Sequence, residues 1–179
     1  DYPSELAACT ALAAMATGRP CKMVYTRSED MQLTTKRHRM KIRYRLGADG
    51  AGVLQALDCT ISVDAGGYAG LSTVVAERAN SSVQGPYSFP HAHADTFVVY
   101  TNNLLGGAFR GFGAPQVTFA LESTMDVLAL ELNMDPVELR RKNLLAVGDM
   151  LVTGAPLPES APVREVLDAL LEESGYYTA

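Results

Sequence analysis

Apolar and polar residues alternate over residues 40–46: Met40, Ile42, Tyr44 and Leu46 share one parity, and Lys41, Arg43 and Arg45 the other. A period of two is that of a strand with one wet face. After a glycine-rich turn at 47–52, Val53, Leu57, Cys59, Ile61 and Val63 alternate with Asp58, Thr60, Ser62 and Asp64, so a half-buried return strand is expected. Two long antiparallel strands follow from this pattern, ended by Gly66 and Gly67.

Upstream, residues 4–17 are almost all helix formers. Ser4 is placed to cap, Glu5 lies in the first turn, and Gly18 and Pro20 stop the run. With no polar face, this helix is expected to be packed on several sides. Residues 21–25 read as a short buried strand, and 26–39 as an irregular connection with one turn of helix. Downstream, a short helix is expected at 72–80 and a third strand at 95–100. A helix is expected from Pro115 to about Leu132, its blurred period implying burial on more than one face. At 135–138 Asp135 can cap, Pro136 already has a helical φ, and Glu138 can reach back as in a capping box. Val163, Val166, Leu167, Leu170 and Leu171 make one apolar stripe on a last helix that ends by Gly175. Strands first and helices later give an α+β class, a long antiparallel hairpin and further strands packed with several helices.

Composition narrows the function classes. The 179 residues fit a single domain, and 47% hydrophobic with 20% charged residues is ordinary for a globular chain. No run is long enough for a membrane helix. A net charge of −5 argues against general nucleic-acid binding. The chain has no initiating Met and no leader-like start, so it reads as beginning in the middle of something. Cys9, Cys21 and Cys59 lie far apart, which suggests reduced, buried thiols in a cytoplasmic protein rather than disulfides or a metal site.

Several clusters bear on chemistry. Lys36, Arg37, His38, Arg39, Lys41, Arg43 and Arg45 are basic, but three of them form the wet parity of a strand, so a solvated or interdomain face is favoured over a phosphate or nucleic-acid site. His91 and His93 face one way on an extended segment, yet no third ligand is near, and no metal is expected. Glu29 and Asp30 sit in a polar connection that would not desolvate a general base. Glu77-Arg78 lies between Ala76 and Ala79, so a buried pair competes with an exposed ion pair. If it lines a pocket, Arg78 would hold a substrate oxygen and stabilise negative charge developing there.

The segment GGAFRGFGAPQ, residues 106–116, lacks the Gly-Lys-Ser/Thr ending of a P-loop. It also follows a strand expected to be antiparallel, which removes the dinucleotide fingerprint. What remains is a backbone able to approach a ligand at its glycines, two aromatic faces at Phe109 and Phe112, and free N–H groups ahead of a helix.

AFRGFGAPQ at 108–116 resembles the signature loop of the molybdenum hydroxylases, the xanthine dehydrogenase and aldehyde oxidase family. ALAAMATGRP, RSEDM, Arg37-His38, ERA at 77–79 and DPVELRRKNLLAVGDM at 135–150 agree in order, so the likeness covers nearly the whole chain. It implies an internal part of a molybdopterin-binding domain or subunit that takes a molybdopterin-type molybdenum cofactor, in mononucleotide or dinucleotide form. Iron–sulfur clusters and FAD would lie in other domains or subunits. The family reaction is hydroxylation with water as oxygen source. By the resemblance, Phe109, Arg110 and Gly111 contact the cofactor and Phe112 stacks on a small heteroaromatic substrate. Arg78 matches the arginine that binds purine and stabilises the transition state, which tilts the substrate toward a purine or another N-heterocycle rather than an aldehyde. The implied partners are the rest of the molybdenum subunit and the electron-transfer domains, with neither nucleic acid nor membrane, and a homodimer of the complete enzyme is compatible with them. The family's pocket glutamate and its catalytic glutamate would fall before Asp1 and beyond Ala179, so the chain alone is expected to be inactive, or to be a fragment that folds but binds no cofactor.

Overall fold

The computed structural model describes residues 4–158 and 161–177. At its centre is a three-stranded sheet in the order β2 (Met40–Ala48), β3 (Leu54–Gly66), β4 (His91–Tyr100). The hairpin pairs antiparallel from Met40↔Val63 to Ala48↔Leu54, as its two alternating parities require. Leu57, Cys59, Ile61 and Val63 are buried, but the parity breaks at the turn, where Leu54 rather than Val53 goes inside. Leu54 is turned inward where its N–H meets the buried Asn143 side chain at 2.8 Å.

The third strand corrects two expectations. It begins at His91, not at 95, and it runs parallel to β3, with Ala56 opposite His91 and Val63 opposite Val98. The crossover between them carries α3 (Ser72–Asn80), so one parallel β–α–β unit is built into the α+β domain. A parallel return needs such a connection, and the short helix was visible in the sequence without the direction of the strand after it.

α4 (Ala114–Glu131) lays Val117, Leu121, Met125 and Ala129 on the core, and α3 adds Ala76 and Ala79. α5 (Pro136–Lys142) starts at Asp135, whose carboxylate accepts from the amides of Val137 and Glu138 at 2.8 and 2.9 Å. The cap therefore works through Asp135 alone, without the reciprocal Glu138 contact. α6 (Val163–Ser174) closes on Gly175 at φ 64°, a left-handed C-cap.

The N-terminal third departs most from expectation. α1 (Ser4–Thr17) is helical as expected, but none of its residues is buried, and Leu12 and Met15 are 65% and 80% exposed. The several-sided packing is not supplied by the described residues, and the residue preceding Ser4 lies outside them. Residues 21–25 form no strand and are largely exposed. Cys9 and Cys21 are exposed too, and only Cys59 is the buried thiol expected of all three. Its burial pushes its pKa up to about 11. Residues 26–39 are more regular than expected: α2 (Arg27–Leu33) has a full capping box between Thr26 and Glu29, followed by the two-residue strand β1 (Lys36–Arg37). The spacing Thr-x-x-Glu was the available signal.

Candidate functional site

β1 pairs in parallel with β5 (Gly106–Gly107), Lys36 opposite Gly106 and Arg37 opposite Gly107. This pairing is where the glycines are first needed. A Cβ at Gly106 would lie 2.5 Å from the His38 ring, and one at Gly107 2.4 Å from Thr35. Both are closed off by the chain itself rather than by a ligand. His38, only 3% exposed, is fixed in turn by a 2.8 Å contact between Nε2 and the Ser72 hydroxyl, and desolvation lowers its pKa.

Beyond β5 the backbone turns sharply. Gly111, Phe112 and Gly113 have φ of 89°, 54° and 97°, three left-handed residues in a row. For Phe112 that conformation costs about 1–2 kcal/mol, so the surrounding structure must impose it. Gly113 cannot carry a side chain there, since its Cβ would be 2.6 Å from the carbonyl oxygen of Val75 on α3. The loop is thus seated against α3 and enters α4, whose first residue is Ala114 rather than Pro115.

Two hydrogen bonds close the loop on itself, Phe112 N–H to the Phe109 carbonyl at 2.8 Å and Ala114 N–H to the Gly111 carbonyl at 3.1 Å. The N–H groups of Phe109, Arg110 and Gly111 meet no acceptor among the described residues. Three adjacent free donors are an anion-accepting backbone. Phe109 and Arg110, though not Gly111, line a cleft of about 760 Å3 between the loop and α2, with Arg27, Asp30 and Lys36 also in its walls. Asp30 is balanced by Arg27 at 3.4 Å and Lys36 at 3.7 Å, and a hydrogen bond from Thr34 is the chief reason its pKa is lowered. Arg110 has no carboxylate partner among the described residues, so the cleft carries an excess of positive charge. This donor set fits a polyanionic, phosphate-bearing cofactor.

The candidate residues divide. Phe109, Arg110, Gly111 and Phe112 lie together on the loop. Phe109 offers one face fewer than expected, because the Arg37 guanidinium covers its ring at 4.5 Å. Glu77 and Arg78 are both exposed, and neither has an ion-pair partner among the described residues, so the buried pair is corrected to two exposed residues. Arg78 stands on α3 next to Ala79, whose methyl a Cβ at Gly113 would crowd at 3.2 Å, and its guanidinium is uncommitted among the described residues.

The remaining polar clusters have local work. Arg45 and His93 converge on Asp58, at 2.6 Å and 2.9 Å, tying all three strands of the sheet. Among the described residues no group of three acidic, His or Cys side chains could hold a metal. The basic run is split among separate tasks: Lys36 donates to the carbonyls of Asp30 and Thr34, Arg37 holds the loop, and His38 is buried. Asn143 and the Glu122–Arg140 pair were missed in the sequence, since nothing in one chain's pattern marks a polar residue as buried.

Residues 2–144 match the family model described as the molybdopterin cofactor-binding domain. The chain is 40% identical over 92% of its length to the nicotinate dehydrogenase large molybdopterin subunit of Eubacterium barkeri, spanning 39% of that protein. It is 44% identical over 89% of its length to a probable xanthine dehydrogenase subunit of Bacillus subtilis, spanning 22% of it. Its fold superposes on the aldehyde oxidoreductase of Desulfovibrio gigas with a TM-score of 0.86 at 37% identity, covering 94% of this chain and 18% of the other. The chain therefore belongs to the molybdopterin cofactor-binding domain family of the molybdenum hydroxylases, and it spans well under half the length of these relatives.

Proposed function

We propose that this chain forms the loop wall of a molybdenum hydroxylase active site, facing the cofactor through residues 109–111 and an N-heterocyclic substrate through Phe112 and Arg78. The observation that carries the reading is the run of free N–H groups at Phe109, Arg110 and Gly111, beside a cleft with surplus positive charge. When bound, the molybdenum cofactor supplies the two-electron oxidising centre for hydroxylation with water as oxygen source. The backbone donors would hold its anionic groups without the reorganisation that mobile side chains need. Phe112, fixed in a left-handed conformation between two glycines, presents a ring against which a planar heterocycle can stack. The uncommitted Arg78 would orient a ring oxygen or nitrogen and stabilise negative charge developing on it.

The relatives' names span nicotinate, xanthine and aldehyde, so it is Arg78 that directs the proposal to N-heterocycles. In the complete enzyme Arg78→Met is expected to lower purine or nicotinate turnover about a hundredfold, with aldehyde turnover changed far less. Equal losses on both substrate classes would end the orienting role. The remainder of the molybdenum subunit, iron–sulfur and flavin domains and a cytoplasmic setting complete this reading. No helix among the described residues is long and apolar enough to cross a membrane.

A second reading is favoured by α1, none of whose residues is buried by the described residues: the chain in isolation folds but holds no cofactor. Molybdenum analysis and pterin fluorescence of the purified chain separate the two, stoichiometric cofactor excluding the second reading and its absence supporting it.

A further inference from the structure

We propose that Arg37 is the positioning residue of the 109–113 loop, setting which way its peptide groups face; the consequence for the cofactor rests on the function proposed above. The loop has little else to define it. Its own hydrogen bonds are the two short turns at Phe112 and Ala114, and three of its N–H groups are unbonded among the described residues. Arg37 reaches it from β1 in three ways at once. Its guanidinium lies over the Phe109 ring at 4.5 Å, Nη2 donates to the Arg110 carbonyl at 2.7 Å, and Nη1 approaches Gln116 Oε1 at 3.5 Å. Gln116, on the first turn of α4, donates in its turn to the His38 carbonyl at 3.2 Å. The β1–β5 pairing sets the Arg37 backbone opposite Gly107, two residues before Phe109, so the reach is built into the register.

The chemistry singles out arginine. A planar guanidinium can present its face to an aromatic ring while donating in its plane to a carbonyl. A lysine ammonium is a point charge and cannot do both in one fixed geometry. The direction of the peptide follows from the bond to Arg110. In a trans peptide the carbonyl and the next N–H point oppositely, so drawing the Arg110 carbonyl toward Arg37 turns the Gly111 N–H away from it. Arg37 thereby orients a donor it never touches. It also holds the Phe109 ring on its own side of the loop and leaves Phe112 as the ring without a cation over it.

The test uses the complete enzyme with Arg37→Lys and Arg37→Met, read by hydrogen exchange of peptides covering 108–116 and by molybdenum and pterin content after gel filtration. Exchange of the Phe112 and Ala114 amides is expected to accelerate at least about tenfold in both variants, the change that loss of one charge-assisted hydrogen bond gives, with the β3 amides at 57–63 unaffected. Lysine failing to restore protection supports the stack-and-donate geometry, whereas full protection in Arg37→Lys would show that charge alone suffices and overturn it. Unchanged exchange in Arg37→Met overturns the positioning role outright. Should Arg37→Met not accumulate as folded protein, Arg37→Lys, of the same charge, carries the decision. Accelerated exchange with cofactor content unchanged would uphold the clamp and count against the loop as the cofactor's wall, so the two proposals fail separately.

Discussion

The sharpest electrostatic expectation at the level of single residues concerns His93. Its Nδ1 lies 2.9 Å from Asp58, and that hydrogen bond, then Asp95, raises its pKa, while the same bond and Arg45 lower that of Asp58. The two shifts act in opposite pH directions. A raised histidine contributes stability below its unfolded value, lost as pH rises through the folded value; a lowered carboxylate contributes above its unfolded value, lost as pH falls through the folded one. The pair therefore supports the sheet most in the window between them. An NMR titration is expected to place the His93 midpoint above the usual value of about 6.5, and Asp58→Asn to bring it back down. A midpoint unmoved by Asp58→Asn would remove the contact as its cause. The sequence shows His93 only as half of a His-x-His pair with no third ligand. Its acid is 35 positions away, on a strand whose parallel pairing no local pattern states.

Among elements, the hairpin, α3 and the cap of α5 were legible because each is encoded by neighbours: alternation, a run of helix formers, and Asp-Pro at a helix start. What could not be read is how elements are fastened to one another. Asn143, 4% exposed at the end of α5, accepts from Leu54 N–H and donates to the carbonyls of Gly52 and Leu139, each at 2.8 Å. One amide thus locks the end of the hairpin to the helix pair, and the register break that buries Leu54 instead of Val53 is part of that fit. The half-buried Arg140 does similar work: it bonds Glu122 at 2.8 Å, and Glu122 also accepts from Tyr87, joining α5, α4 and the crossover loop. Asn143→Ala takes the side-chain partner from the Leu54 N–H and from the Gly52 and Leu139 carbonyls and is expected to cost about 3 kcal/mol. Chemical denaturation measures it, and a loss under about 1 kcal/mol would show that water or a shifted backbone replaces the amide. The glycines teach the same lesson. Their density suggested close approach to a ligand, but Gly106, Gly107 and Gly113 are dictated by His38, Thr35 and Val75, contacts that no stretch of eleven residues contains.

Over the whole molecule, the fold divides into a dense core, where the sheet meets α3 and α4, and an N-terminal arm that touches little. α1 is apolar on every side, yet none of it is buried. Phe119 and Leu130 on the outer side of α4 are 75% and 80% exposed, and Phe97 on β4 is 54% exposed. An all-round apolar helix is the signature of burial, and sizeable exposed apolar area marks a contact surface. The helix was therefore legible in composition, although none of its residues is buried by the described residues. On the proposed reading, the rest of the molybdenum subunit covers α1. Leu12→Glu with Met15→Glu should then separate two measurements. In this chain alone both side chains face solvent, so the denaturation midpoint is expected to move by less than about 0.5 kcal/mol equivalent. In the complete subunit the same pair would place two carboxylates in an apolar contact, and the yield of assembled, molybdenum-containing protein is expected to collapse. A complete subunit that tolerates both charges would mean that α1 stays in solvent and would overturn its burial against the rest of that subunit.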